Sequence, residues 1–569
     1  MFSFIRRNIR LGTVLSLNFR GLKARNSRGS RGMGLVGPRS LSTATESLTD
    51  GLLNSVFQYT SGRWLWDEEK QLAARYVKFD VDALCSIAAQ SVGSTSCTHA
   101  TKLTEGNFNK VLLLTMNDGK EVIAKVPNPN AGHPHFTTAS EVATMQFVRD
   151  SLHIPAPRVF AWCSKASESP VGAEYIIMEK VPGVQLSQLW TEMHQLKKSQ
   201  IVTQLVQFDQ ALASNPFSEY GSLYYTDHEA RSDSFVVGPT TNRKYYDDGR
   251  RALGLDRGPW RSAEEYLVAA AQREKESIVH LGASPRLHGL FKGPGQYQPS
   301  TATKHRALDG YIRVSKYLLP KNLATHKPVL WHPDLHTDNI FVDPEEPTRI
   351  TGVIDWQAAH IAPLFLQVRR PALLDFDGPI PESLKLPVLP ENFEALSAEE
   401  KLQAKRLNVE QVLYVFYEIE LLIQCRDAGN ALRLRDTLGS QISGLAGSLF
   451  TDGEPIVLGY LMQVVDRWAE IVGQDPEGRP LIPCPISFTA EERSQQREDQ
   501  VKWEEGVVLM DELLQKIGAY TGWDGFVSHA DYETMKRRVL DAEECFLRQM
   551  ATDDERSLWS KAWPFPVSS

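Results

Sequence analysis

His332, Asp334, Asn339 and Asp355 fall within 24 residues of one another. They lie in Val329-Leu-Trp-His-Pro-Asp-Leu-His-Thr-Asp-Asn-Ile-Phe-Val-Asp343 and its continuation Arg349-Ile-Thr-Gly-Val-Ile-Asp-Trp356. Ile340–Val342 and Ile350–Ile354 are apolar runs separated by Asp343-Pro-Glu-Glu-Pro347, a pattern that predicts a hairpin. Such a hairpin sets Asn339, just before its first strand, beside Asp355, just after its second. An amide oxygen and a carboxylate at neighbouring strand ends can share a hard cation such as Mg²⁺, which takes a few protein oxygens and leaves room for phosphate oxygens. Asp334, on the same loop, can face a substrate hydroxyl, and His332 can brace the loop through backbone hydrogen bonds. The spacing H-x-D-x-x-x-x-N followed by a strand-terminal Asp is the layout of kinase-type phosphoryl transfer. A plainer reading makes Asp334 and Asp338 turn residues, Asn339 a cap and Asp355 a strand terminator. The occurrence of every piece in order argues against it.

The elements needed to position these groups are visible upstream. Lys110–Met116 and Glu121–Val126 flank Asn117-Asp118-Gly119-Lys120, a strong tight-hairpin signal. Glu141–Leu152 reads as a helix, with Val142, Met145, Val148 and Leu152 at helical spacing and Pro155 beyond its end. Val159–Trp162 and Ala173–Met178 read as two further strands, closed by a Pro182-Gly183 turn. An inward Lys125 on the second hairpin strand can pair with α- and β-phosphates, and Glu141 on the helix can hold that lysine. Glu105-Gly-Asn-Phe-Asn109 precedes the first strand, so the backbone at Gly106 and Asn107 can cover phosphates. Backbone groups of Glu179–Val181, leading into the hinge, can read adenine. Each of these is weak singly; their order, loop then Lys then Glu then catalytic loop then Asp, gives them weight.

From about 185 onward the chain reads as mainly helical apart from short strands over 329–355. Capping boxes at Ser397-Ala-Glu-Glu400 and Thr489-Ala-Glu-Glu492 open long helices. The expected organisation is a leader over 1–45, a segment with a nucleotide-binding lobe over 46–182, and a helical lobe with its tail over 183–569. The formal net charge of −8 divides unevenly: residues 1–45 hold nine basic residues and no acid, leaving 53 basic against 70 acidic residues beyond. An Arg-rich, Ser-containing, acid-free start describes a mitochondrial transit peptide, with cleavage expected near Arg39–Thr43 and work in the matrix. The alternative is a basic tail for an anionic surface. The acidic remainder argues against nucleic acid as partner. No apolar run approaches the roughly 18 residues of a membrane span. Six scattered cysteines indicate neither a zinc site nor a redox pair. Nothing in the pattern sets an oligomeric state.

Trp331-His-Pro-Asp-Leu-His-Thr-Asp-Asn339 and Ile354-Asp-Trp356 resemble the aminoglycoside phosphotransferase and choline kinase-like branch of the protein-kinase-like fold. Protein kinases carry Asp-Phe-Gly at the second site and an Ala-Pro-Glu segment, both absent here. The resemblance covers about 100–185 and 325–360. It implies an α+β, two-lobed fold with a small strand-rich N-lobe and a large helical C-lobe. It further implies ATP and Mg²⁺ as cofactors, Asp334 as catalytic base, Asn339 and Asp355 as Mg²⁺ ligands, and Lys125 as phosphate contact. The acceptor would be a small-molecule hydroxyl. The sequence departs from the pattern in having a single glycine, Gly106, in the phosphate loop, and Pro333 after His332. A non-catalytic kinase-fold binding or scaffold protein in mitochondrial maintenance is therefore the competing expectation; protein phosphorylation or AMPylation has no positive support in the residues.

Overall fold

A computed structural model describes residues 40–42, 55–103, 105–226, 234–282, 284 and 289–567. In chain order its N-terminal part holds β1 (Ser40–Ser42), β2 (Arg63–Trp64), α1 (Val81–Ser91), β3 (Cys97–Lys102), β4 (Asn109–Met116) and β5 (Glu121–Pro127). α2 (Phe136–Gln146), β6 (Val159–Cys163) and β7 (Tyr175–Glu179) follow. All strands but β2 join one antiparallel sheet in the order β1-β3-β4-β5-β7-β6. Ser40–Ser42 falls inside the stretch expected as a disordered leader, yet it pairs along β3 as an edge strand. Residues 1–39 and 43–45 of that leader, including Arg39 and Thr43 at the two ends of the expected cleavage region, lie outside the described residues.

The β4–β5 hairpin turns where Asp118-Gly119 predicts it. Gly119, at φ 83°, occupies the left-handed position that a three-residue hairpin loop assigns to glycine. Lys110, Leu112, Leu114 and Met116 alternate inward along β4. With α1 and the facing strands they form the N-lobe core, which includes Leu84, Ala124, Val126 and Ile177.

α2 begins five residues earlier than its apolar spacing predicts. The added first turn, Thr137–Ser140, is polar but buried. Glu174 explains its stability: its carboxylate accepts from His135 N at 2.9 Å and Thr138 Oγ1 at 2.6 Å, placing negative charge at a helix N-terminus. At its other end the helix continues as one π turn, Phe147–Ser151.

The C-terminal part contains β8 (Val184–Gln185), α3 (Gln195–Ser214), β9 (Ser222–Tyr225), β10 (Phe235–Gly238), α4 (Ala263–Leu281) and α5 (Thr301–Leu318). Short strands follow, β11 (Pro328–Leu330), β12 (Ile340–Val342), β13 (Ile350–Val353) and β14 (Ile361–Pro363). The long helices α6 (Ala398–Gln424), α7 (Glu454–Asp466) and α8 (Ala490–Ile517) come next, then β15 (Phe526–Val527) and α9 (Tyr532–Leu547). α6 and α8 both open on the capping boxes expected at Ser397 and Thr489. The result is an α+β, two-lobed kinase-like fold. Val142, Met145 and Val148 of α2 and its π turn pack with Leu205, Leu223, Ile340, Val353 and Trp356, so this helix belongs to the C-lobe core as much as to the sheet. That shared core joins the two lobes beside the candidate site. Among the described residues, no helix is long and apolar enough to cross a membrane, and the six cysteines are free thiols.

Candidate active site

β12 and β13 pair antiparallel with Ile340 opposite Val353, and Ile354 N donates to Asn339 O at 2.9 Å. The pairing brings Asn339 and Asp355 to one end of the hairpin, as their positions in the sequence predict. Asn339 is buried, and its Nδ2 donates to Asp334 O at 2.9 Å, which leaves its amide oxygen for a ligand. Asp355 has φ 66°, a left-handed conformation that aspartate tolerates better than most residues and that turns the chain out of β13. Asp334 projects from the loop with its side chain 54% exposed.

His332 holds that loop in one protonation state. Its Nδ1 accepts from Asp334 N at 3.1 Å, so its Nε2 carries the proton given to Ile354 O at 3.0 Å. Burial drives its pKa down to about 4, outweighing the Ile354 bond and the nearby carboxylates, so it is neutral at physiological pH. Arg369 adds a second brace, donating to His332 O at 2.9 Å and to Pro333 O.

Lys125 lies mid-sheet, opposite Val111 on β4 and Ile176 on β7. Its Nζ reaches Glu141 Oε1 at 2.6 Å and Asp355 Oδ1 at 3.3 Å. Burial pulls the ammonium down, but the two carboxylates outweigh it and hold Lys125 above the ordinary lysine value. Sheet, helix and hairpin end thus meet through three charged side chains. A buried pair this close does not by itself stabilise a fold, because desolvation offsets much of the attraction. It does set one fixed cation beside Asp355.

Gly106 and Asn107 lie between β3 and β4. Gly106 has an ordinary φ, and a Cβ there would meet nothing, so packing alone does not require glycine at this position. Asn107 O accepts from Asn130 Nδ2 at 3.2 Å. Glu179 closes β7, and its carboxylate is engaged by Arg149 Nη1 and Arg158 N, both at 3.0 Å. Its backbone N also donates, to Arg158 O at 2.8 Å. Val181 is buried, and its side chain occupies the space a Cβ at Gly352 would need. The hinge thereby rests on the hairpin that carries Asn339 and Asp355.

The donor set suits Mg²⁺: one amide oxygen and one carboxylate, with the Lys125 ammonium 3.3 Å from that carboxylate. Among the described residues no group of three or more His, Cys, Asp or Glu could hold a metal. Two protein oxygens are what a magnesium ion completed by phosphate oxygens and water requires.

Several side chains passed over in the sequence sit here. His336 Nε2 lies 3.5 Å from Asp334 Oδ2 while its Nδ1 accepts from Asp338 N at 3.3 Å. Gln357 exchanges amide hydrogen bonds with Asn109 at 3.0 and 3.2 Å, linking the start of β4 to the segment after Asp355. Arg243 stacks on Phe108 with 3.6 Å to the ring centroid. The four-residue spacing of His332 and His336 is the one local signal that could have found any of these; the others come from distant parts of the chain.

The family model for the phosphotransferase enzyme family matches residues 99–286 and 293–366, which include Gly106, Lys125, Glu141, Glu179, Asp334, Asn339 and Asp355. A subtelomeric hrmA-associated cluster protein of Aspergillus fumigatus is 30% identical over 510 residues, spanning 82% of this chain and 97% of that one. Altered inheritance of mitochondria protein 9, mitochondrial, of Yarrowia lipolytica is 23% identical over 509 residues, spanning 82% of this chain and 85% of that one. Among solved structures, the ADP-bound aminoglycoside phosphotransferase APH(2'')-Ib aligns at TM-score 0.35 and 11% identity, over 69% of this chain and 99% of that one. The family match and the full-length relative together place this chain in the phosphotransferase enzyme family.

Proposed function

We propose that the chain is an ATP- and Mg²⁺-dependent kinase that transfers a phosphoryl group to a hydroxyl of a small molecule inside mitochondria. One observation carries the reading: Lys125, paired with Glu141, also contacts Asp355, and Asp355 ends the hairpin that begins at Asn339 beside the Asp334 loop. In the proposed reaction the acceptor oxygen attacks the γ-phosphorus of ATP, the bond to the β-phosphate oxygen breaks, ADP leaves, and the hydroxyl proton passes to Asp334. Asn339 and Asp355 would hold Mg²⁺, which supplies charge neutralisation for the phosphate oxygens. Lys125 orients the α- and β-phosphates, the backbone at Gly106 and Asn107 covers them, and the backbone of Glu179–Val181 receives adenine. Positioning and preset charge supply most of the rate enhancement in such a site.

The compartment is supported by the basic, acid-free first 45 residues and by relatives whose names place them in mitochondria; the matrix is the proposed address. A second reading, a binding or scaffold protein without turnover, is favoured by the lone Gly106 and by the Asn109–Gln357 bonds that tie the start of β4 to the segment after Asp355. A phosphorylation screen of metabolite extract with radiolabelled ATP separates the two. The kinase reading expects a labelled product with wild type and at least a 100-fold lower yield, on the order of a lost general base, with Asp334→Asn. No labelled product from wild type would favour the scaffold.

A further inference from the structure

The loop that holds Gly106 is fastened by parts of the chain that lie outside the residues matched by the phosphotransferase family. Glu105 is buried and ion-paired to Lys110 at 2.6 Å and Lys102 at 2.8 Å. Thr60 N and Thr60 Oγ1 donate to its second carboxylate oxygen at 2.7 and 3.0 Å. Ser61 Oγ accepts from Glu105 N at 3.2 Å and donates to Glu105 O at 3.3 Å. Lys102 in turn donates to Ser55 O and Gln58 O at 2.9 and 2.8 Å. The segment 55–61 is therefore hydrogen-bonded to the backbone and side chain of the residue immediately before Gly106.

That segment is itself held by the C-terminal tail. β2 pairs antiparallel with β15, and Leu65 N donates to Gly525 O at 3.0 Å. Trp64 is fully buried, donates from Nε1 to Asp524 Oδ2 at 3.1 Å, and packs 5.1 Å from the rings of both Tyr59 and Phe526. His529 Nε2 bonds Thr60 O at 3.2 Å. Gly62 lies so close to Val527 O that any Cβ would overlap it.

We infer that the 55–66 strap, clasped by the tail around β15, is a positioning device for the phosphate loop, with Thr60 and Ser61 acting through Glu105. The role rests on the proposed nucleotide site. It also accounts for how a loop with one glycine holds a defined shape: rigidity comes from the buried Glu105 anchor rather than from backbone contacts to phosphate alone. A Ser61→Ala change removes both backbone bonds and leaves the ion pairs intact; Thr60→Val removes one carboxylate bond and the 3.1 Å bond from Lys102 Nζ, and keeps the backbone donor.

The test is amide hydrogen exchange of the full chain without nucleotide, combined with calorimetric Kd values for Mg-ATP and adenosine. In Ser61→Ala, exchange at 105–108 is expected to quicken about 5- to 25-fold, the worth of roughly one to two neutral hydrogen bonds, while β5 and β7 amides keep their rates. The Kd of Mg-ATP should rise by about the same factor while that of adenosine, which lacks phosphates, stays within about two-fold. Ser61→Thr, which keeps the hydroxyl, should restore both, and Thr60→Val should give a change in the same direction. Unchanged loop exchange in both Ser61→Ala and Thr60→Val overturns the inference. So does exchange that quickens equally in β5 and β7, which marks general loosening. Loop exchange that responds in a chain binding neither ligand upholds the strap and overturns the nucleotide reading instead.

Discussion

At the scale of single residues, the site is built from groups whose charge state is set by burial and by one or two partners. Lys125 stays charged because Glu141 and Asp355 face it, so removing it strands a buried carboxylate. Lys125→Met should destabilise the fold by about 3–5 kcal/mol, whereas Lys125→Met with Glu141→Leu should recover most of that loss. Guanidinium unfolding of the two variants checks the pair. The buried histidines give a second prediction. Burial lowers His332 and His360 from 6.5 to about 4, so the stability each contributes is complete above pH 6.5 and lost as pH falls through 4. Asp209 is opposed: burial, against Tyr417 and Arg369, raises it from 3.8 to about 7, so its contribution is complete below 3.8 and lost as pH rises through 7. Asp209→Asn removes the opposing group. Its loss of stability between pH 6.5 and 4.5 should exceed that of wild type by about 1–2 kcal/mol in urea titrations, and equal slopes would contradict the assignment.

At the scale of elements, the hinge and the hairpin depend on two glycines for different reasons. Gly352 is the hollow that receives Val181, and Gly183 combines φ 102° with a close approach to Val342 O. Gly352→Ala should cost about 1–3 kcal/mol by overpacking, and Gly183→Ala more, because backbone strain adds to the clash. Thermal melts of both variants read the difference. The hairpins were legible in the sequence because strand pairing over a short turn is local. Asp118-Gly119 marks one turn, and the apolar runs around Asp343–Pro347 mark the other. The first turn of α2 was not legible, because Thr137–Ser140 are stabilised by Glu174, far along the chain. The same limit applies to the site. His332, Asp334, Asn339 and Asp355 stand in one short stretch whose spacing carries their geometry. Gln357 meets Asn109, and Arg369 reaches back to Pro333, only through tertiary folding.

At the scale of the whole molecule, a kinase-like core is held by two segments from outside the family-matched residues. Residues 55–66 and the tail around Phe526 close on each other and on the base of the phosphate loop, and neither carries a signal of that meeting in its composition. α2 shares one core with Leu205, Leu223 and Trp356 of the C-lobe, which joins the lobes beside the candidate site. The central claim is that this junction forms an Mg-ATP site ending in Asp355. Isothermal calorimetry of the full chain with millimolar Mg-ATP tests it most directly. Wild type is expected to show saturable binding that weakens at least about ten-fold, the loss of one charged ligand, in Asp355→Ala. No heat of binding from wild type, or equal affinity in Asp355→Ala, would contradict it.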